Sequence, residues 1–236
     1  MKFAYRAAAL KAALCSGVSF GLLAATPALA QSQILEGNYI KIGVNEQGTL
    51  GFGGNATPGI LYDGTGTGSF NPDYDYLTPG TPFEGFTIAG NNSGSDFSLV
   101  NNNRGTNSIT GGTLTSYNGV EYNGTTHAQR AVWTATVSDL FSITNDYYFD
   151  LTDQQVHITT SITALTDLTG LSFSRALDPD AMATDGDSSS TNNVRGTDTV
   201  SDKDLVYAEA LVSKYVIGLY TNTSFEHNSA VTRWTT

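Results

Sequence analysis

The chain has almost no cysteine: its one thiol, Cys15, lies in an apolar stretch near the N-terminus, and none follows. A chain without Cys beyond that point builds no disulfide, no thiolate zinc centre and no cysteine nucleophile. Its fold stands on core burial alone. Basic residues are also scarce, 11 Lys and Arg against 22 Asp and Glu. Lys2, Arg6 and Lys11, with no acidic residue, precede residue 31, which leaves 8 against 22, a net charge of −14 for the remainder. An acidic surface of this kind repels nucleic acid and anionic lipid, so neither is expected as a partner. After residue 30 no apolar run approaches the ~18 residues that cross a bilayer, so no membrane span is expected there.

Enzyme templates are missing too. His127, His157 and His227 have no close His, Asp or Glu at metal-ligand spacing, and neither His-x-His nor His-Glu-x-x-His occurs. There is no Gly-x-Ser-x-Gly elbow. Gly64-Thr-Gly66-Thr-Gly68 lacks the Lys and the following helix of a phosphate loop, and reads as a flexible turn.

What is present begins with a secretory signal. Met1, Lys2, Arg6 and Lys11 form a basic start, Ala12 to Ala25 an apolar run too short to span a bilayer, and Ala28-Leu-Ala30 an Ala-x-Ala cleavage site. The expectation is an exported protein, periplasmic, cell-surface or extracellular, whose mature chain starts near Gln31. Leu14 before Cys15 and the apolar residues after it argue against a lipid anchor.

The mature part is rich in Thr, Asn, Ser and Gly, residues of pleated surfaces and of the turns between them. Val156, Ile158, Thr160 and Ile162 alternate with His157, Thr159, Ser161 and Thr163, the period of a strand with one buried face. Tyr147, Phe149 and Leu151 repeat the alternation, and Asp153-Gln154 makes the two a hairpin. With Ala131 to Val137 before and Leu171 to Leu177 after, the segment reads as an antiparallel meander of about four strands. Tyr39 to Val44 forms a strand turning at Asn45-Glu-Gln-Gly48. Phe83 to Ala89, Phe97 to Val100, Ile109 to Tyr117, Leu205 to Ala208 and Tyr215 to Tyr220 read as further short strands. One helical turn is expected near Asp202 to Glu209. These elements indicate one all-β domain over 31–236, an antiparallel two-sheet β-sandwich with almost no helix, following a signal peptide at 1–30. The chain stops at Thr232-Arg-Trp-Thr-Thr236 in what reads as mid-strand, as though truncated there.

Two sites stand out. Tyr62, Tyr74, Asp75, Tyr76 and Glu84 lie in a Gly- and Pro-rich segment, where aromatic rings beside carboxylates suit a glycan: the ring covers a pyranose face and the carboxylate accepts hydroxyl protons. The competing reading has the aromatics pin a long loop to the core. Asp178, Asp180, Asp185 and Asp187 offer hard oxygens for calcium, without the closing Glu of an EF-hand; a solvated acidic loop is the favoured reading of the two.

Gly37-Asn-Tyr-Ile-Lys-Ile-Gly-Val44, Thr57-Pro-Gly-Ile-Leu-Tyr-Asp63, Asp75-Tyr-Leu-Thr-Pro-Gly-Thr-Pro-Phe-Glu-Gly-Phe86 and Arg175-Ala-Leu-Asp178-Pro-Asp180 with Thr191-Asn-Asn193 resemble exported proteins of Gram-negative bacteria. Some of those relatives are similar to autotransporter passengers, and they carry no settled activity. Trp133 to Phe173 resembles the long meander of the galactose mutarotase-like supersandwich, which implies sugar binding in a broad cleft; that fold's His-containing catalytic motif is absent. The combined expectation is a non-enzymatic surface or periplasmic protein with a structural, adhesive or glycan-binding role. The alternative is a carbohydrate-active enzyme in which His127 or His157 meets Glu84 or Glu121 across a cleft.

Overall fold

The structure is a computed structural model that describes residues 32–54, 56–77, 84–180 and 190–232. The signal segment, Phe83, Asp185 and Asp187 lie outside the described residues. In chain order the strands are β1 (Gln33–Glu36), β2 (Ile40–Val44), β3 (Ile60–Tyr62), β4 (Glu84–Asn92), β5 (Ser95–Asn102), β6 (Thr113–Ser116), β7 (Glu121–Tyr122), β8 (Thr125–Thr126), β9 (Gln129–Val137), β10 (Phe141–Phe149), β11 (His157–Ala164), β12 (Leu168–Leu177), β13 (Thr191–Arg195), β14 (Leu205–Ala210) and β15 (Val216–Tyr220). A single 3-10 turn, Pro72–Tyr74, is the helical content of the described residues. The protein is all-β and antiparallel, as the alternation and turn composition imply.

Two sheets face each other, one ordered β11-β10-β9-β6 and the other β12-β4-β5. Phe86 of β4 meets Trp133 of β9 edge-on, ring centres 5.8 Å apart, and Phe97 of β5 meets Phe141 of β10 at 6.1 Å. The sheet β1-β2-β3 closes on the same core through Leu35, Ile40, Ile42 and Val44, all buried. A fourth sheet, β13-β14-β15, packs through Ala210 and Ile217 against Tyr76 and Ile60. Trp133 is fully buried and its Nε1 donates to Glu46 O at 2.8 Å. Gly48, at φ +73°, leaves the space this indole fills.

Three expectations are corrected. The hairpin β10–β11 and its neighbour β9 form as read, but the fourth strand of the meander crosses over: β12 leaves β11 through residues 165–167 and pairs with β4 in the facing sheet. Alternation fixes which face of a strand is buried, not which sheet it joins. Residues 205–210 are not a helical turn but β14, paired on both sides, so its backbone groups are satisfied by β13 and β15. The Gly64 to Gly68 run is not loose. Asp63 accepts from Thr65 N (2.8 Å), Thr65 Oγ1 (2.6 Å), Thr67 N (2.9 Å), Thr67 Oγ1 (3.0 Å) and Ser69 N (3.1 Å), and the loop wraps its own carboxylate. Those donors, the Thr65 hydroxyl first, hold Asp63 far below the usual carboxylate range.

Candidate functional site

The five residues read as glycan ligands are not gathered on one surface. Asp75 is buried, and its oxygens accept from Thr57 Oγ1 (2.7 Å) and from the N–H groups of Gly59 (2.6 Å), Ile60 (3.1 Å) and Leu77 (2.9 Å). Glu84 is fully buried; Leu50 N donates to it at 2.6 Å, and Arg175 Nε lies 2.7 Å from its Oε1. Tyr76 packs edge-on against Tyr215, and burial pushes its hydroxyl up to about 12. Tyr74 sits half-buried in the 3-10 turn. Tyr62 faces solvent, its hydroxyl donating to Gln154 Oε1 at 2.8 Å on the β10–β11 connection. Both carboxylates thus tie backbone to core, and the aromatics largely pin the segment.

Of the four Asp residues read for calcium, Asp178 and Asp180 are described and Asp185 and Asp187 are not. Burial, and the Asp178 charge beside it, push Asp180 up to about 6. Among the described residues no three His, Cys, Asp or Glu side chains converge as a metal site.

A different cluster comes together on the outer face of β9, β10 and β11. Register places Arg130, Tyr148 and His157 in one row across the three strands. His127, in the connection between β8 and β9, stacks on Tyr148, with ring centres 4.3 Å apart and planes at 25°. His157 stacks at 5.1 Å and 12°. Three half-buried rings therefore form one pile, imidazole, phenol, imidazole. Asp150 flanks it, 3.5 Å from His127 Nδ1, and accepts from Ala128 N at 2.8 Å; that N–H, then His127, holds its carboxyl below the ordinary range. Gln155 Nε2 is 3.2 Å from His157 Nε2.

The row is anchored from within the sheet. Arg130 Nε donates to Asp146 Oδ1 at 2.9 Å and Nη2 to Oδ2, while Nη1 reaches Tyr122 O (3.0 Å) and Thr125 O (3.1 Å) of the β7–β8 hairpin. Its guanidinium also lies 4.7 Å from the Tyr122 ring and 5.4 Å from the Tyr148 ring, so one buried cation fixes the sheet, the hairpin and the ring pile. Beyond the row, the same face carries Thr134, Thr144 and Ser161, then Thr136, Ser142 and Thr163. Besides the self-neutralising Arg130–Asp146 pair, this face has the Asp150 carboxylate at its margin.

Such a surface offers ring faces, an acceptor carboxylate and an amide to a ligand with hydroxyls and apolar C–H faces. The carboxylate that meets His127 is Asp150; Glu84 is consumed inside the core, and Glu121 accepts from Gly124 N at 3.0 Å. A polar cleft of about 230 Å³ beside Gln47, Gly54, Asn103 and Arg104 is smaller than the roughly 300–1,000 Å³ of ligand pockets. No helix among the described residues is long and apolar enough to cross a membrane.

Sequence reading noted His157 on a polar strand face but missed the cluster, because His127, Tyr148 and His157 meet only through strand register. The available signal was the polar alternate set of β10, Asp146 and Tyr148, opposite the buried Asn145 and Tyr147. Comparison with protein-family models, curated proteins and solved structures finds no match to this chain.

Proposed function

We propose that this chain is an exported, non-catalytic β-sandwich protein of the periplasm or cell surface that binds carbohydrate on the outer face of β9–β11. The observation that carries the reading is the ring pile of His127, Tyr148 and His157, rigidly held and flanked by Asp150 and Gln155. Pre-ordered rings bind a sugar without a large ordering cost, and neighbouring acceptors and donors select among hydroxyl patterns. The N-terminal basic, apolar and Ala-x-Ala segments supply the exported part of the proposal. Of the two carboxylates that the enzyme alternative sets against these histidines, Glu84 faces Arg175 and Glu121 accepts from Gly124 N.

The test is titration of residues 31–236 against a panel of neutral and acidic oligosaccharides, followed by His127→Ala and His157→Ala. Binding to a panel member that weakens about tenfold or more in either variant, with the melting temperature held, supports the site. Absence of binding across the panel, or unchanged affinity in both variants, overturns it.

A further inference from the structure

Among the described residues, the flank of the sandwich where β11 and β12 run is open. These are the edge strands of the two facing sheets, joined by residues 165–167, and large apolar side chains remain exposed there: Leu171 at 41% and Phe173 at 38%, although Phe173 stacks on core Phe86 at 6.0 Å. Sheet edges are a pairing hazard that proteins blunt with short strands, bulges, Pro or Lys. Two other edges are blunted. β6 has four residues, and β12 breaks register between Thr169 and Ser172 beside Gly170 at φ +60°. β11 carries none of these devices: eight residues without Pro, Lys or acid, paired with β10 in unbroken register. Among the described residues, the hydrogen bonds of its backbone run to β10 alone.

The side-chain order of β11 is also symmetric about Thr160. Ile158, Thr160 and Ile162 lie on the core side, opposite Tyr147, Asn145 and Ile143 of β10, while His157, Thr159, Ser161 and Thr163 face outward. We infer that β11 pairs antiparallel with β11 of a second copy of this chain, on a two-fold axis through Thr160, joining two four-stranded sheets into one of eight. In that register Ile158 faces Ile162 of the other copy and Thr159 faces its Ser161, each on the matching side of the sheet. Facing β-branched pairs favour strand association, and a slip by one residue between the copies would set each isoleucine opposite an outward-facing residue of the other, core side against outer side. A two-fold axis makes the edge its own complement, and its lack of charge removes the repulsion that an acidic chain would otherwise impose. The same approach brings Leu171 and Phe173 toward their symmetry mates. This association rests on the geometry of the β11 edge and not on the ring pile.

Sedimentation of residues 31–236 over a concentration series tests it, with two double variants at exposed positions whose side chains make no hydrogen bond in the fold. T159K/S161K sets Lys opposite Lys across the axis and is expected to weaken the dimer about tenfold or more. T159K/S161E sets Lys opposite Glu and is expected to keep it. Hydrogen exchange of residues 157–164 should slow as concentration rises in the parent and in T159K/S161E, but not in T159K/S161K. A monomer at all concentrations to ~100 μM overturns the inference. So does a dimer that both variants leave unchanged.

Discussion

Arg175 reaches from the edge strand β12 into the core and meets Glu84 with Nε 2.7 Å from Oε1, both side chains almost without solvent. Its Nη2 also donates to the Tyr147 hydroxyl at 2.5 Å, which donates in turn to Gly48 O at 2.6 Å. The edge of one sheet, the centre of the other and the first hairpin thus share one buried polar chain. Removing one partner strands the other's charge, which typically costs about 3–5 kcal/mol. Arg175→Met is expected to lower stability by that amount in urea unfolding. Adding Glu84→Gln should restore part of the loss, because the remaining acid is then neutral; a double variant as unstable as the sum of both singles would contradict it.

Gly48 sits against the Trp133 ring at positive φ. A methyl group there strains the backbone and overlaps the indole. Gly48→Ala is expected to cost about 1–3 kcal/mol from overpacking, with further loss from the dihedral, and to shift Trp133 fluorescence toward that of a solvated indole.

The Asp63 turn gives a signed acid dependence. A carboxyl depressed in the fold stabilises it fully above its unfolded value of 3.8, and that contribution drains away as pH falls below it. Melting temperature between pH 5 and 2 should therefore fall more steeply for the parent than for Asp63→Asn, whose turn is already weakened at pH 7.

Asp180 works with the opposite sign. Its carboxyl is raised to about 6 from 3.8, so the fold is favoured while it stays protonated and loses that preference as pH climbs through this interval. Asp180→Asn should raise the melting point above pH 6 and flatten the profile between pH 4 and 6. If calcium occupies this loop, the cation offsets the penalty: ligand at 100 times its Kd adds about 2.7 kcal/mol. Equal melts in calcium and in chelator would leave Asp178 and Asp180 as plain acidic loop residues.

Much of the strand content was legible because burial on one face writes itself as alternation, as in Ile158 to Ile162 and in Ile40 to Val44. The partners of buried charge were not. Glu84 looks like a surface carboxylate among aromatics until Arg175, far along the chain, is brought beside it. Asp75 likewise reads as a ligand until four donors from its own loop region close on it. The ring pile needs three strands in register, and no local pattern specifies which Tyr lies opposite which His. Its anchor, Arg130, stood in the sequence as one of few basic residues, yet only the pairing with Asp146 shows why a cation belongs in that row.

The crossing of β12 to the far sheet sets the order in which the molecule can be finished. β4 is the middle strand of its sheet, and one of its edges waits for β12: Ile88 pairs with Phe173, 85 positions further on. As the chain emerges N-terminus first, β5 can cover one side of β4 at once, but the other stays bare until residue 177 has appeared. Long separations of this kind slow folding and prolong the life of open edges.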